Sequence, residues 1–265
     1  MKKSDSATEE YFTGGRSFAW PVVAGSLLLT NLSTEQLVGL NGDVFGDKAL
    51  VGIAWEALAA FAMIATALLF LPIYMASGFT TTPAFLEKRF DKMTRSIVSG
   101  LFLFGYVTVL LPVVLYTGSL ALITMFDLNI SMWIVVAAIG LLGSSYAIVG
   151  GLKSVAVSDT LNGIGLLIGG LMIPVLALVS LGGGSFFEGI SILGTEKPEY
   201  LRVLAQQNLE GKQVSVPWPT LLTGMMFIQL FYWSTNQVIV QRAMAAKSLA
   251  EGQKGVLFAS AMKLV

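Results

Sequence analysis

The residues best suited to chemistry in this sequence are polar groups set inside apolar stretches. Between Pro21 and Phe45, an apolar run long enough to cross a bilayer is interrupted by Thr30-Asn31-Leu32-Ser33-Thr34-Glu35-Gln36. Backbone released from a helix at that depth needs protein, water or a bound ion to satisfy its carbonyl groups, and such carbonyls can coordinate a cation. The sequence therefore predicts a discontinuous helix that lines a ligand or ion pathway.

Four ionisable residues fall within apolar spans: Glu35, Glu56, Asp159 and Lys263. Each costs about 2.5–3.5 kcal/mol at the bilayer centre on insertion scales, so isolated charges without a role are disfavoured. Glu56 lies well inside its span, which favours a functional role. Asp159 could instead complement a helix dipole or reach the membrane surface, and Glu35 could cap the second half-helix. Lys263 lies close to the last residue of the sequence, so its role stays open.

The composition indicates a polytopic membrane protein, because 55% of the 265 residues are hydrophobic, 12% are charged and the mean hydropathy is +0.76. The absence of Cys and His removes thiol and imidazole chemistry, so we predict that the protein is not an enzyme. A net charge of +0 gives no reason to expect a nucleic-acid partner.

Apolar runs of about 20 residues predict seven spans, at 18–45 (broken), 49–76, 96–126, 132–150, 156–182, 217–241 and from 254 onward. A short helix at 82–90 should lie on the membrane surface, and 183–216 is the one long polar loop. Of the 16 basic residues, eleven lie in segments on one side of the predicted spans, four lie on the other side, and Lys263 lies in the seventh span. This bias predicts a cytoplasmic N-terminus and an external long loop.

Several amides also lie within the spans. Amides in membrane helices usually join helices, in bonds that average about 0.6 kcal/mol, and this role covers Asn162, Asn236 and Gln237. Gln36 and Gln229 differ, because each shares its span with a helix break or aromatic residues. That mixture suits a hydroxylated solute.

Three motifs follow one another along the chain. They are Tyr11-Phe12-Thr13-Gly14-Gly15-Arg16-Ser17 with Glu35-Gln36-Leu37-Val38-Gly39; Gly150-Gly151-Leu152-Lys153-Ser154 with Asp159-Thr160; and the stretch from Phe231 to Arg242 with Ala245-Ala246-Lys247-Ser248. In this order they resemble the sodium:solute symporter family, in the branch that includes sodium/glucose and sodium/galactose transporters.

The resemblance implies an all-α polytopic membrane protein, part of a LeuT-type five-plus-five inverted-repeat fold with a discontinuous first core helix. Residues 1–17 would be a cytoplasmic lead-in, 18–182 the first five-helix repeat, 183–216 an extracellular loop and 217–265 the start of the second repeat. The family has further helices on both sides, so we expect this chain to be incomplete.

The resemblance also implies roles for single residues. Gln36, Glu56, Gln229 and Lys263 would bind solute hydroxyls. Tyr232 would form the inner gate, with Leu40 and Trp55 on the outer side. Sodium would be held by the carbonyls of Leu29 and Leu32, with Asp159 on its route. Ala59 and Gln229 depart from the galactose carrier's pattern, which leaves the solute open.

The predicted function is sodium-coupled symport of a neutral polyhydroxylated solute, with a sugar expected, by alternating access in the bacterial inner membrane. Sodium would be co-transported, membrane lipid would surround the protein, and no organic cofactor is expected; the oligomeric state is not predicted. One alternative is a seven-helix receptor or retinal protein with Lys263 as the Schiff-base lysine. Another is a nontransporting sugar sensor on the same scaffold.

Overall fold

The computed structural model describes residue 11 and residues 13–32, 35–79 and 81–264, without the side chains of Glu35 and Leu37. Every regular element in this part of the chain is helical. The long helical elements are α1 (Trp20–Asn31), α2 (Asn41–Asp47), α3 (Val51–Ser77), α4 (Thr82–Arg89), α5 (Lys92–Phe126), α6 (Met132–Leu181), α7 (Phe186–Glu196), α8 (Met226–Ser234), α9 (Gln237–Met244) and α10 (Leu249–Met262).

The first span is discontinuous, as predicted. Helix α1 starts with Pro21 in its first turn, where proline's missing N–H costs nothing. The helix ends at Asn31, and Leu32 takes non-helical angles (φ −76°, ψ 87°). Helical structure resumes with a π-helical segment, Glu35–Leu40, which continues directly into α2. The predicted capping role of the Glu35 side chain lies outside the described residues.

The predicted fourth and fifth spans form one long helical element, α6. Its 50 residues contain a single non-helical residue, Gly151 (φ 57°, ψ −159°). A Cβ on Gly151 would lie 2.8 Å from the Tyr11 carbonyl oxygen, so both the backbone angles and the close approach require glycine. The predicted separation at 150–156 is therefore a kink and not a loop.

The sixth predicted span is also broken, which the sequence analysis did not predict. A helical turn, Trp218–Thr220, and a π-helical segment, Leu221–Met225, lead into α8, which ends at Ser234. Helix α9 starts at Gln237, capped by the side chain of Asn236, whose Oδ1 accepts a hydrogen bond from Val238 N (3.0 Å). We call the interruption that begins at Leu32 the first break and residues 235–236 the second break.

The long polar loop is also more structured than predicted. It contains α7, whose N-terminus is capped by Ser185, and a short 3₁₀ helix, Pro198–Leu201. Beyond them, the backbone of Ala205 accepts a hydrogen bond from Trp218 N (3.0 Å). This bond ties the loop to the start of the sixth span.

The buried core lies around α1, which packs between α6 and α10. Small residues permit these close approaches: a Cβ on Gly25 would lie 3.1 Å from the Thr160 hydroxyl, and one on Gly255 would lie 2.7 Å from Val23 Cβ. Membrane helices use glycine in this way to bring backbones together. Phe18 N also donates to Ala245 O (3.0 Å), which fixes the start of α1 against the end of α9.

Three helices of the described residues are long and apolar enough to cross a membrane: Val51–Ser77, Lys92–Phe126 and Met132–Leu181. The broken spans supply only shorter helical pieces. Much of the surface of α5 and α6 consists of exposed apolar side chains, including Leu103, Phe104 and Ile173. These features agree with a multi-pass membrane protein.

Candidate functional site

A cavity of about 620 Å³ lies beside the first break. Its walls come from the end of α1, the π-helical segment before α2, helices α2, α3, α5, α8 and α9, and Lys263 at the end of α10. The lining residues are Thr30, Asn31, Gln36, Gly39, Leu40, Asp43, Trp55, Glu56, Ala59, Leu110, Val114, Val216, Met225, Ile228, Gln229, Tyr232, Trp233, Asn236, Val238 and Lys263. The structure thus brings the four predicted solute-binding residues and the three predicted gate residues together, although their roles remain predictions.

Glu56 is the centre of the polar contacts in this cavity. Its Oε1 accepts a hydrogen bond from Gln36 Nε2 (2.9 Å), and its Oε2 pairs with the Lys263 ammonium group. The side chains of Lys263 and Glu56 are only 4% and 17% exposed. A buried charge pair of this kind costs desolvation energy, so its retention points to a role beyond stability.

Gln229 is fixed by two protein contacts. Its Nε2 donates to the backbone oxygen of Trp55 (3.2 Å), and its Oε1 accepts from Trp233 Nε1 (3.2 Å). Because the amide can make four hydrogen bonds, it keeps donor and acceptor capacity for a solute. Trp233, which the sequence analysis did not select, also lies 5.4 Å from Lys263 Nζ, measured to the ring centroid.

The predicted gate residues lie at separate parts of the cavity wall. Tyr232 is half-buried on α8, with its ring edge-on to Trp233 at a centroid distance of 5.4 Å. Leu40 packs on α3, where a Cβ on Gly52 would lie 2.6 Å from Leu40 Cδ1. Trp55 follows less than one turn later on the same helix. Aromatic side chains therefore border the cavity on both α3 and α8.

The predicted sodium residues lie along one side of α1. Leu29 is in the last turn of α1 and Leu32 is the first non-helical residue after it. Leu29 faces α6, where a Cβ on Gly163 would lie 3.3 Å from Leu29 Cγ. Asp159, one turn before Gly163, accepts a hydrogen bond from Ser26 Oγ (3.1 Å). The Asp159 carboxylate therefore contacts α1 three residues before Leu29 and six residues before Leu32.

Asp159 is also paired with a cation that the sequence analysis placed elsewhere. Arg242 was counted among the basic residues outside the membrane, but it is buried (8% exposed). Its Nη2 lies 3.4 Å from Asp159 Oδ2, and its Nε donates to Ser26 Oγ (2.9 Å). Asp159 lies two turns beyond the Gly151 kink, whereas a helix dipole acts within the first turn. The count of charges could have indicated this partner, since three acidic residues but only one basic residue, Lys263, were singled out within the predicted spans.

The second break is held by side chains of other helices. Tyr106 OH donates to Asn236 Oδ1 (2.8 Å), Tyr74 OH donates to Ser234 O (2.8 Å), and Thr66 Oγ1 lies 2.9 Å from Ser234 Oγ. Thr82 N donates to Gln237 Oε1 (2.7 Å). Asn236 and Gln237 do join helices, while Asn162 contacts Ser158 of its own helix (3.4 Å). The polar run Ser234-Thr235-Asn236-Gln237 was the sequence signal for this break.

Comparison with known proteins identifies the class. The sequence pattern of the sodium:solute symporter family matches residues 11–265, so the chain belongs to this family, whose members are transporters. The chain is 45% identical over 274 residues to an uncharacterized symporter, YidK, of Escherichia coli (strain K12), and covers 47% of that protein. It is 34% identical to the sodium/glucose cotransporter of Vibrio parahaemolyticus, covering 48% of it. It is 30% identical to the human sodium/myo-inositol cotransporter 2, covering 40%. All of this chain is matched in each case.

A solved structure supports the fold. A sodium-coupled sialic acid symporter, in a substrate-bound outward-open state, superposes with a TM-score of 0.79 at 19% identity. The match covers 97% of this chain and 52% of that one. The architecture is thus part of a LeuT-type fold, as predicted. The chain spans about half the length of the curated relatives it matches. Family membership and the two broken spans argue against the receptor or retinal alternative.

Proposed function

We propose that the protein couples sodium entry to the uptake of a neutral, polyhydroxylated solute by alternating access. The observation that carries this proposal is the cavity beside the first break, which gathers Gln36, Glu56, Gln229 and Lys263 between aromatic walls. Hydroxyl groups need donors and acceptors, whereas the C–H faces of a sugar ring need flat apolar surfaces. The cavity supplies both.

The charge of the cavity supports a neutral solute. Glu56 and Lys263 compensate each other in the interior. The third charged lining residue, Asp43, lies on the exposed face of α2. A solute hydroxyl can insert into the contact between Gln36 and Glu56, because the Gln36 amide can donate or accept and the Glu56 carboxylate can accept at that point, without a change in net charge. The relatives named for glucose and myo-inositol transport agree with such a solute.

Sodium is the proposed cargo that drives uptake. The carbonyl groups of Leu29 and Leu32 would coordinate the ion at the first break, and Asp159 would lie on the ion's route. One sodium ion crossing about 100 mV releases about 2.3 kcal/mol, and a tenfold concentration gradient adds about 1.4 kcal/mol. Together they could concentrate a neutral solute roughly several-hundred-fold.

We propose the same topology that the sequence predicts, in the bacterial inner membrane with the N-terminus in the cytoplasm. Residues 18–182 would form the first five-helix repeat and 217–265 the start of the second, joined by an external loop at 183–216. The second break supports this division. It places a discontinuous helix at the beginning of each segment, as expected of an inverted repeat.

The test is solute accumulation in vesicles that contain the complete gene product. Labelled glucose, galactose and myo-inositol would each be offered with an inward sodium gradient and, separately, with a potassium gradient. We expect accumulation of at least one of them only with sodium. Sodium-stimulated binding without accumulation would support the sensor alternative. Accumulation that is equal in both gradients would contradict sodium coupling.

A further inference from the structure

A second cavity, of about 450 Å³, lies on the opposite side of the sixth span from the first. Helices α3, α4, α5 and α8 form its walls. Its lining residues are Phe70, Ile73, Tyr74, Thr82, Phe85, Leu86, Arg89, Val98, Phe102, Phe231 and Thr235. We call it the interfacial cavity. None of the proposed solute or sodium residues contributes to it.

The interfacial cavity extends from the membrane surface into the apolar layer. Val98 and Phe102 follow the first residue of α5, Lys92, by six and ten positions. At 1.5 Å per residue they lie roughly 9 and 15 Å from that end, and about 15 Å is half of a hydrocarbon core. Aromatic rings form the wall near α4, with Tyr74 edge-on to Phe85 at 5.6 Å. The depth and the walls suit an acyl chain.

One buried polar group in this cavity lacks a partner. Thr82 is 4% exposed, and its Oγ1 makes no hydrogen bond with any residue the structure describes. Its backbone N–H is already used, since it donates to Gln237 Oε1 (2.7 Å). Leaving a buried hydroxyl unpaired is unfavourable. Its Oγ1 points away from the open space of the cavity, so a ligand with an acceptor atom at this level would satisfy it only after the side chain turns toward the cavity.

The mouth of the cavity is basic. Residues 82–95 carry Lys88, Arg89, Lys92 and Arg95 against Glu87 and Asp91, a net charge of +2. Arg95 is paired with Glu87 (2.6 Å). Arg89 lines the cavity and, within the described part of the chain, forms no ion pair; its guanidinium lies 5.7 Å from the ring centroid of Phe90. Arg89 is therefore available to an anion at the membrane surface.

We propose that the interfacial cavity binds one anionic phospholipid. An acyl chain lies between α3 and α5, the Thr82 side chain turns so that its Oγ1 donates a hydrogen bond to an ester carbonyl, and the phosphate group contacts Arg89. These three contacts follow the order of a phospholipid, with the apolar chain deepest, the ester in between and the charge outermost. A soluble anion would use only Arg89, and a neutral lipid would leave the basic mouth without a counter-charge.

The position gives the lipid a mechanical role. In the cavity wall, Phe231 lies in the last turn of α8 and Thr235 lies in the second break, and Thr82 N is bonded to Gln237, the first residue of α9. A bound lipid therefore packs against the junction between α8 and α9. It supports the angle at which the two half-helices meet.

Native mass spectrometry of the complete gene product in detergent tests the proposal. Phosphatidylglycerol and phosphatidylcholine with identical acyl chains would compete at equal concentration. We expect one phosphatidylglycerol to be retained about fivefold over phosphatidylcholine, the preference expected from one arginine at a membrane surface. Arg89→Gln should abolish this preference. Arg95→Gln is the matched control, because Arg95 is paired with Glu87 and lies outside the cavity; it should keep the preference.

Thr82→Val provides an independent readout. Without lipid, its Tm should equal or exceed that of the wild type, because the unpaired hydroxyl is gone. The variant should also lose part of the Tm increase that phosphatidylglycerol produces in the wild type. The proposal is wrong if the two lipids are retained equally by the wild type. It is also wrong if Arg89→Gln and Arg95→Gln reduce the preference equally, because surface charge alone would then explain it.

Discussion

The two helix breaks have similar polar sequences but different surroundings. At the second break, side chains from α3 and α5 bond the polar groups at the helix ends: Tyr74 donates to Ser234 O and Tyr106 donates to Asn236 Oδ1. At the first break, the polar contacts converge on the first cavity, where Gln36 and Lys263 both contact Glu56; of the second break, only Asn236 lines that cavity.

The difference indicates that the two breaks have separate roles. Polar groups that are fully used by neighbouring helices fix a geometry, and they leave little capacity for a ligand. Polar groups that surround a cavity can exchange partners with a solute. We therefore infer that the second break sets the angle between α8 and α9, while the first break binds cargo.

Loss of the Glu56 carboxylate should produce the largest effect. Glu56→Ala leaves the Lys263 ammonium buried without its partner, and breaking a buried pair in this way costs about 3–5 kcal/mol. We expect a lower Tm in detergent together with loss of solute binding, measured by scintillation proximity. The expected loss of stability follows from the ion pair with Lys263, which the sequence analysis did not predict.

A double variant separates stability from binding. Glu56→Gln combined with Lys263→Gln removes both charges and keeps hydrogen-bonding capacity, so much of the lost stability should return. Solute affinity should remain at least tenfold weaker than in the wild type. Full recovery of affinity would show that the charge pair is structural and that the first break is no more specialised than the second.

The sequence predicted the first break and the contents of the cavity more fully than the rest of the fold. Thr30 to Gln36 interrupt a long apolar run, which any reading of membrane spans detects. The second break is less visible, because only Ser234 to Gln237 mark it and amides commonly join helices. The pairing of Arg242 was missed for a related reason. Its position near a span end suggests the surface, whereas only the packing of α9 against α1 shows that it pairs with Asp159.

Tyr74→Phe tests the second break. It removes the donor to Ser234 O and leaves a buried carbonyl unpaired, which costs about 1–3 kcal/mol. Because Tyr74 does not line the first cavity, the Tm should fall while solute affinity stays unchanged. Tyr116→Phe is the control, since Tyr116 is 54% exposed and should have no effect on either quantity. A change in affinity with Tyr74→Phe would mean that the second break takes part in binding.

Tyr232→Phe should have a smaller effect that is confined to transport. The phenyl ring keeps the flat face beside the cavity, so solute binding should persist. Loss of the hydroxyl should reduce coupled uptake in vesicles, because the ring is less firmly held across the exit. If binding and uptake both match the wild type, Tyr232 is ordinary helix packing and not a gate.

The smallest effect is expected where the loop of residues 183–216 contacts Lys48, just after the first span. Lys48 Nζ lies 2.7 Å from Glu210 Oε1, and hydrogen bonds from Lys48 and Lys212 lower the pKa of Glu210. A lowered folded-state pKa stabilises the protein above the ordinary carboxyl pKa, and this gain is lost as pH falls through the folded-state value.

Glu210→Gln should therefore reduce the Tm slightly at neutral pH and not at all in acid. High salt should also remove the difference, because the pair is exposed. Glu196→Gln is the matched control, since Glu196 is exposed and forms no ion pair among the residues that the structure describes. A pH-independent effect of Glu210→Gln would show that the ion pair does not stabilise this end of the first span.

Sodium-dependent solute binding tests the difference between the two breaks most directly. Affinity for the transported solute would be measured with sodium and with potassium in the wild type, Gln36→Leu and Tyr74→Phe. We predict sodium-enhanced binding in the wild type and in Tyr74→Phe. Binding should be at least tenfold weaker in Gln36→Leu, which lacks the amide that contacts Glu56 in the wild type. Two results would contradict the assignment of cargo binding to the first break. One is that Tyr74→Phe weakens binding as much as Gln36→Leu does; the other is that sodium has no effect on binding in the wild type.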